Sequence, residues 1–273
     1  RPDTSMGLPT DLRVTGVELW FLPVTTRMPL KFGPETLTAV TCARARIRVE
    51  GRDGRTACGW GETPLSVQWV WPAGTSYSSR HDALRLFTRQ LAGAWVKFSH
   101  WGHPLELGHD FNEEVLPGLR AEFNQGIPAG SDGELPCLAA LVCNSLFDLA
   151  LHDAFGRLHD RPTYSTYEAS FLNRDLGDLL EPAVDARGVS FRGRYPADFL
   201  TLPRRDQLPA WHLVGGLDPL MRTDLKGDEP NDGNPVLLED WIRQDGLRCL
   251  KIKLRGTDAA WDYARIVAVD RLA

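Results

Sequence analysis

Residues 247–256 read LRCLKIKLRG, and the fold prediction starts from them. Apolar residues at every second position alternate with Lys251 and Lys253, which is the pattern of a β-strand with one apolar face. Three further patterns surround this strand: an apolar strand at 211–216, a helix at 235–246 and a helix at 257–273. The order strand, helix, strand, helix predicts two parallel strands joined by a right-handed crossover.

The first 160 residues show a different pattern. Apolar and polar residues alternate near 17–21 and 43–49, and TACGWGE at 56–62 follows a turn as a third strand. Helical patterns then occupy 78–95, 105–119 and 138–158. In the last helix we expect one broad apolar face, formed by Leu138, Leu141, Val142, Ser145, Leu146 and Leu149. The region is predicted to be an antiparallel sheet followed by helices, an α+β domain.

The segment between these two regions has no persistent period. Gly, Pro and Arg are scattered through residues 161–208, which predicts a loop-rich insertion or linker. We therefore expect three parts: an α+β domain at 1–160, the insertion at 161–208, and the parallel βα segment at 209–273.

The overall composition is that of a soluble globular protein. The formal net charge of −5, with both signs interspersed, argues against nucleic acid or a membrane surface as a partner. Asn144, Asp148 and Asp153 interrupt the longest apolar stretch, which favours a buried helix over a membrane span. The five cysteines lack zinc-type spacing, so we expect reduced thiols and a cytoplasmic protein.

The two lysines of the strand admit two interpretations. A solvated edge strand carries lysines that prevent aggregation, whereas the carboxyl end of a barrel strand places a lysine pair in a functional site. Parallel strands in α/β units are covered on both faces, which favours the second interpretation. Two ammonium groups about 7 Å apart repel by roughly 2.4 kcal/mol at an effective dielectric constant of about 20. This repulsion lowers the pKa of one lysine, although burial or a nearby cation must contribute more before that lysine is neutral at pH 7.

Four motifs resemble, in their order along the chain, the mandelate racemase and muconate lactonising branch of the enolase superfamily. They are TTRMPLKFG at 25–33, GWGE at 59–62, FDLALHDAFGRLHDRPTY at 147–164 and KIK at 251–253. The resemblance implies an α+β capping domain followed by the first strands of a modified (β/α) TIM-type barrel. The barrel then looks truncated in this chain.

The resemblance also implies a chemistry. Enzymes of this branch use Mg²⁺ to hold a substrate carboxylate while the proton alpha to it is abstracted, which gives an enediolate. By this similarity Lys253 would be the base, and Lys251 would lower the pKa of Lys253 and contact the carboxylate. Racemases, epimerases, acid-sugar dehydratases and cycloisomerases all begin with this step. The expected partner is a small carboxylate substrate, and a homo-oligomer is expected.

Two loops of the capping domain are expected to select the substrate. They are residues 25–32 and 63–71, which the resemblance would bring to the mouth of the barrel. The candidate specificity residues in them are Thr26, Lys31, Phe32, Thr63 and Trp69.

The chain departs from the family pattern at the metal. The carboxylate ligands of the family lie on later barrel strands, and we interpret Asp258, Asp262 and Asp270 as a helix start and solvated positions. No metal ligand is assigned in this chain, and the Mg²⁺ ligands are expected beyond Ala273. The alternative is a non-catalytic binding or structural protein that retains only the first half of the fold. Carboxylates on further strands would favour the enzyme, and a chain that stops at Ala273 would favour the alternative.

Overall fold

The computed structural model describes residues 7–32, 35–72, 74–201 and 203–273. The chain divides into two compact units. The sheet–helix unit contains Arg1–Pro23 and Thr41–Thr201, and the βα unit contains Val24–Val40 and Leu202–Ala273. The domain boundaries expected from the sequence, at residues 160 and 208, stay a prediction. Sequence reasoning did not foresee that residues 24–40 group with the carboxyl-terminal segment.

A three-stranded sheet forms one side of the sheet–helix unit. Its strands are β1 (Leu12–Phe32), β2 (Glu35–Gly51) and β3 (Thr56–Pro64), in that order across the sheet. β2 and β3 pair antiparallel, as the alternating pattern predicts. Residues 24–32 of β1 and residues 35–40 of β2 belong to the βα unit. The prediction of a loop at 25–32 was wrong, because these residues continue β1 as a strand.

Helices follow the sheet in the order that the sequence predicts. They are α1 (Val67–Val70), α2 (Tyr77–Lys97), α3 (Pro104–Asp110), α4 (Leu116–Phe123) and α5 (Cys137–His159). A single π-helical turn, Phe111–Val115, joins α3 to α4. Within 161–208 the described residues form only short 3₁₀ turns, which agrees with the loop-rich character predicted there.

Helix α5 packs directly on strand β3 because two glycines let the backbones approach. A Cβ added at Gly59 would lie 2.7 Å from the Cα of Ala154, and one added at Gly61 would lie 2.6 Å from the N of Ala150. Real Cβ atoms do not approach other atoms so closely, so only glycine fits at these two positions of the GWGE motif. The buried side of α5 is therefore made of alanines beside larger apolar residues, and alanine leaves room for the strand.

The apolar face predicted for α5 was partly wrong. Leu146 is buried and Val142 packs against the core. Leu138, Leu141 and Leu149 are exposed, whereas the fully buried positions include Ala140, Phe147, Ala150, Leu151, Ala154 and Phe155. α5 is 23 residues long, and an apolar stretch of 18 residues within it has a mean hydropathy of 1.3, enough by length and composition to cross a membrane. Such a helix is apolar on nearly every side, so hydrophobic spacing does not identify the buried face. Burial of 61% of its apolar stretch is typical of a core helix.

A buried polar contact lies at the centre of this core. The Nε1 of Trp95 donates to the Oδ1 of Asn144 over 2.8 Å, and the Nδ2 of Asn144 donates to the Oδ1 of Asn112 over 3.0 Å. The ring of Trp95 stacks on Phe111 with centroids 4.0 Å apart. Asn144 thus gives Trp95 the partner that a buried indole N–H requires.

We expect Asn144→Leu to lower the free energy of unfolding by about 1–3 kcal/mol, because the indole N–H of Trp95 stays buried without an acceptor. Urea denaturation followed by circular dichroism measures the change. The double variant Trp95→Phe with Asn144→Leu removes both partners, and it should regain part of the loss relative to the sum of the single variants. Unchanged stability in Asn144→Leu would contradict this account.

The βα unit has the strand–helix order that the sequence predicts. Its elements are β4 (Trp211–Val214), α6 (Leu238–Asp245), β5 (Cys249–Ile252) and α7 (Ala259–Asp270). β4 and β5 pair in parallel, with Leu213 opposite Lys251 and Val214 opposite Ile252. Leu250 and Ile252 pack on a small core of Val214, Leu220, Leu238 and Val269. The parallel pairing and the apolar side of β5 confirm the prediction made from residues 247–256.

Residues 24–40 are fastened to the rest of the βα unit by an arginine. Arg27 donates from Nε and Nη2 to the two oxygens of Asp232, over 2.7 and 2.9 Å. It also donates to the backbone oxygens of Asn234 and Pro235. The hydrogen bonds from Arg27 hold the pKa of Asp232 well below its usual range. We call this contact the Arg27 clasp.

Candidate functional site

Lys253 lies immediately after β5 and is half-buried. Its backbone N–H donates to the oxygen of Val214 over 2.9 Å, so the pairing of β4 and β5 extends to this residue. Its Nζ donates to the backbone oxygen of Lys31. Burial lowers the pKa of Lys253, the charge of Lys251 lowers it further, and Asp218 opposes the shift. The neutral form of the Lys253 amine is therefore more favourable in this site than it would be in water.

Lys251 lies two residues before Lys253 and is exposed. Side chains two positions apart on a strand point to the same side, so the two lysines share the side of β5 opposite its apolar residues. The structure thus brings together the two lysines that the sequence predicts as a pair. Lys251 supplies the nearby positive charge that helps to lower the pKa of Lys253.

The turn after β4 forms the wall beside Lys253. The N–H of Gly215 donates to the Oδ2 of Asp218 over 2.6 Å, and a Cβ at Gly215 would lie only 2.8 Å from the Asp218 carboxylate. A Cβ at this position would therefore displace the Asp218 side chain that closes the turn. From α7, the Nη2 of Arg265 donates to the backbone oxygens of Gly215 and Asp218, over 2.6 and 2.8 Å. The turn is fixed from two directions.

A pocket of about 490 Å³ opens at the carboxyl ends of the two strands. Its lining includes Lys31, Gly216, Leu217, Lys253, Arg255 and Thr257. Ligand pockets of α/β units lie at this end of the strands. The volume falls within the usual range for small-molecule sites, about 300–1,000 Å³.

Sequence reasoning missed several residues that shape this pocket. Arg255 lines it, Asp218 acts on the charge of Lys253, and Arg265 fixes the turn. A signal was present for Arg255, because it follows the lysine pair and precedes Trp261 at the start of a helix. The other two act through the fold of the turn, which spacing in the sequence does not reveal.

The predicted specificity residues lie in both units. In the βα unit, the Oγ1 of Thr26 donates to the oxygen of Leu37 over 3.5 Å, and Lys31 lines the pocket. The side chain of Phe32 lies outside the described part of the structure. In the sheet–helix unit, the hydroxyls of Thr63 and Ser145 are 2.7 Å apart, and Trp69 of α1 is 55% exposed. Within the βα unit, the backbone oxygen of Lys31 accepts a hydrogen bond from Lys253. The roles of all five residues stay predictions.

The described residues do not fit a magnesium ion. Across residues 7–32, 35–72, 74–201 and 203–273, no group of three His, Cys, Asp or Glu side chains is arranged to hold a metal. Hard cations such as Mg²⁺ require oxygen ligands, and the two carboxylates near the pocket bind backbone N–H groups instead. Asp218 accepts from Gly215, and Asp262 accepts from Arg255 and Gly256. Asp258 caps α7 by accepting from the N–H of Trp261, which agrees with the helix start predicted there.

No family model matches the chain. No curated protein matches it either.

Among solved structures, the chain is similar to several enzymes that cover nearly all of it at low sequence identity. One is a substrate-liganded L-Ala-D/L-Glu epimerase from Bacillus subtilis, 16% identical over 95% of this chain and 50% of that chain, with a TM-score of 0.48. Another is a mandelate racemase/muconate lactonizing protein from Herpetosiphon aurantiacus, 16% identical over 98% and 51%, with a TM-score of 0.43. A third is a dipeptide epimerase from Enterococcus faecalis V583 complexed with Mg and a dipeptide, 13% identical over 96% and 51%, with a TM-score of 0.47. This chain spans about half the length of each of them.

Proposed function

We propose that the protein abstracts the proton alpha to a carboxylate of a small substrate, with Lys253 as the base. The observation that carries the proposal is the position of Lys253, half-buried at the wall of the pocket with a lowered pKa. In this proposal β4 and β5 are the first strands of a (β/α) barrel. The reaction would be a racemisation or epimerisation, a dehydration or a cycloisomerisation, which share this first step.

The contacts of Lys253 suit a base. A neutral amine has two N–H groups and one lone pair. One N–H can donate to the backbone oxygen of Lys31, as in the structure, while the lone pair accepts the substrate proton. The electron pair of the broken C–H bond then moves into the C=C bond of an enediolate, and Lys253 becomes an ammonium. The oxygen of Lys31 accepts a hydrogen bond from either form, so it fixes the direction of the side chain throughout.

Lys251 has two roles in the proposal. Its positive charge lowers the pKa of Lys253, which raises the fraction of Lys253 that is neutral near pH 7. The same charge would contact the substrate carboxylate and stabilise the negative charge that develops there. Magnesium as a cofactor, with ligands beyond Ala273, stays a prediction, and we derive no step through it.

Changing Lys251 tests this arrangement. In the full-length protein we expect Lys251→Gln to shift the alkaline rise of solvent deuterium exchange at the alpha carbon to higher pH. The reason is that the pKa of Lys253 rises when the neighbouring charge is removed, so a smaller fraction of the base is neutral at pH 7. Nuclear magnetic resonance of the substrate in D₂O at a series of pH values measures the shift.

Lys226→Gln is the matched control, because it removes an exposed lysine of the same unit outside the pocket lining. It should leave the pH profile in place. A profile that stays unmoved in Lys251→Gln, or that moves equally in both variants, would remove the support for this role of Lys251.

A further inference from the structure

Arg255 is held in one orientation at the pocket wall. Its guanidinium lies over the ring of Trp261, 4.0 Å from the centroid, and Arg265 lies 5.8 Å from the same ring. An arginine that stacks on an indole ring is stabilised by a cation–π interaction. The stacked face of the guanidinium is then covered, while its N–H edge stays available for an acceptor in the same plane.

The start of α7 fixes both members of this stack. The carboxylate of Asp262 accepts the backbone N–H groups of Arg255 and Gly256, over 2.8 and 2.9 Å. The carboxylate of Asp258 accepts the backbone N–H of Trp261 over 3.0 Å. Gly256 has a φ of +72°, a conformation that favours glycine and turns the chain from the strand into the helix. The backbones of Arg255 and Trp261 are therefore held by the start of α7, and the indole ring covers one face of the guanidinium.

Three cationic side chains, those of Lys31, Lys253 and Arg255, belong to the lining of the pocket. Within the described ranges of the chain, no carboxylate lies within 4.0 Å of the Arg255 guanidinium, which packs on the ring of Trp261. A guanidinium binds a carboxylate through two parallel N–H···O hydrogen bonds, a geometry that an oriented fork favours.

We infer that Arg255 binds a second carboxylate of the substrate, so that the protein acts on small dicarboxylates. The inference rests on the proposed function, in which one carboxylate is next to the carbon that Lys253 deprotonates. The second carboxylate would lie in the same pocket, on the N–H edge of the stacked guanidinium. Arg255 would then select the substrate without taking part in proton transfer.

Two acids that differ in one group test the inference. Malate and 2-hydroxybutyrate share the 2-hydroxy acid head, but malate carries a carboxylate where 2-hydroxybutyrate has a methyl group. Titration calorimetry of the full-length protein at fixed ionic strength should show that malate binds about tenfold more tightly. Arg255→Gln should remove this preference by weakening malate alone, and Arg255→Lys should keep part of it because a single charge remains.

Arg248→Gln is the matched control, since it removes an exposed arginine at the opposite end of β5 and changes the net charge equally. It should leave the preference for malate intact. Equal affinity for the two acids in the unchanged protein, no measurable binding of malate, or an equal loss for both acids in Arg255→Gln would overturn the inference. The proposed base is judged separately, by deuterium exchange in Lys253→Ala, so either conclusion can fail while the other stands.

Discussion

Replacing Lys253 by alanine is expected to slow solvent deuterium exchange at the alpha carbon of the substrate by about 10²–10⁴-fold, the usual contribution of a general base. The variant loses the only group in this proposal that accepts the proton. It keeps the strand pairing, because the contact between Lys253 and Val214 uses the backbone N–H. The measurement is the loss of the alpha-proton signal of the substrate in D₂O, carried out on the full-length protein.

Two comparisons make this result specific. The circular dichroism spectrum and the urea midpoint of Lys253→Ala should stay close to those of the unchanged protein, because the side chain is half-buried at the rim of a pocket and outside the small apolar core. Lys253→Arg keeps the positive charge but holds its proton at neutral pH, so it should be as inactive as the alanine variant. Exchange near the original rate in either variant would show that another group is the base.

The second large effect is expected in stability. Gly59→Ala and Gly61→Ala should each lower the free energy of unfolding by about 3 kcal/mol, because a Cβ at either position overlaps the backbone of α5. Backbone atoms cannot rotate away as the end of a flexible side chain can, so the whole helix must shift from β3. Urea denaturation followed by circular dichroism at a helical wavelength measures the loss.

Gly93→Ala is the control, because the same change from glycine to alanine is expected to stabilise the protein at this position. Gly93 lies within α2, and a Cβ added there meets no atom within 4 Å. Alanine should therefore stabilise the helix by up to about 1 kcal/mol, since it has the higher helix propensity. If the variants at Gly59 and Gly61 unfold at the same urea concentration as Gly93→Ala, the close packing of α5 on β3 is not important for stability.

Regular patterns in the sequence predicted the elements whose structure is determined by residues close to them along the chain. Alternation of apolar and polar residues identified β1, β2 and β5, and the turn before residue 56 identified β3. The order of strands and helices after residue 209 identified the parallel pairing of β4 and β5. Here local pattern and tertiary structure agree.

Two features of the fold could not be predicted from local patterns. The apolar face predicted for α5 included Leu149, which is exposed. The side of α5 that packs on β3 instead carries small residues such as Ala150. The grouping of residues 24–40 with the βα unit depends on contacts such as the Arg27 clasp, whose acceptor Asp232 is 205 positions away in sequence. A periodic pattern in the sequence cannot identify a contact between residues so far apart along the chain.

The candidate site divides in the same way. Lys251 and Lys253 were predicted as a pair because the period of a strand places them on one side. Arg255 was missed because its position depends on the turn at Gly256 and on a ring six residues further along the chain. The backbone oxygen of Lys31 was missed as a partner of Lys253 because backbone atoms leave no trace in the identity of a residue.

The Arg27 clasp also has a consequence for synthesis on the ribosome. At about 5–20 residues per second, roughly 10–40 s pass between the translation of Arg27 and that of Asp232. Until residue 202 is translated, the nascent chain carries residues 24–40 without the other segment of the βα unit. The sheet–helix unit has by then been translated completely, since its last residue is Thr201. The residues of the sheet–helix unit are therefore translated before most of the residues that line the pocket with Lys253.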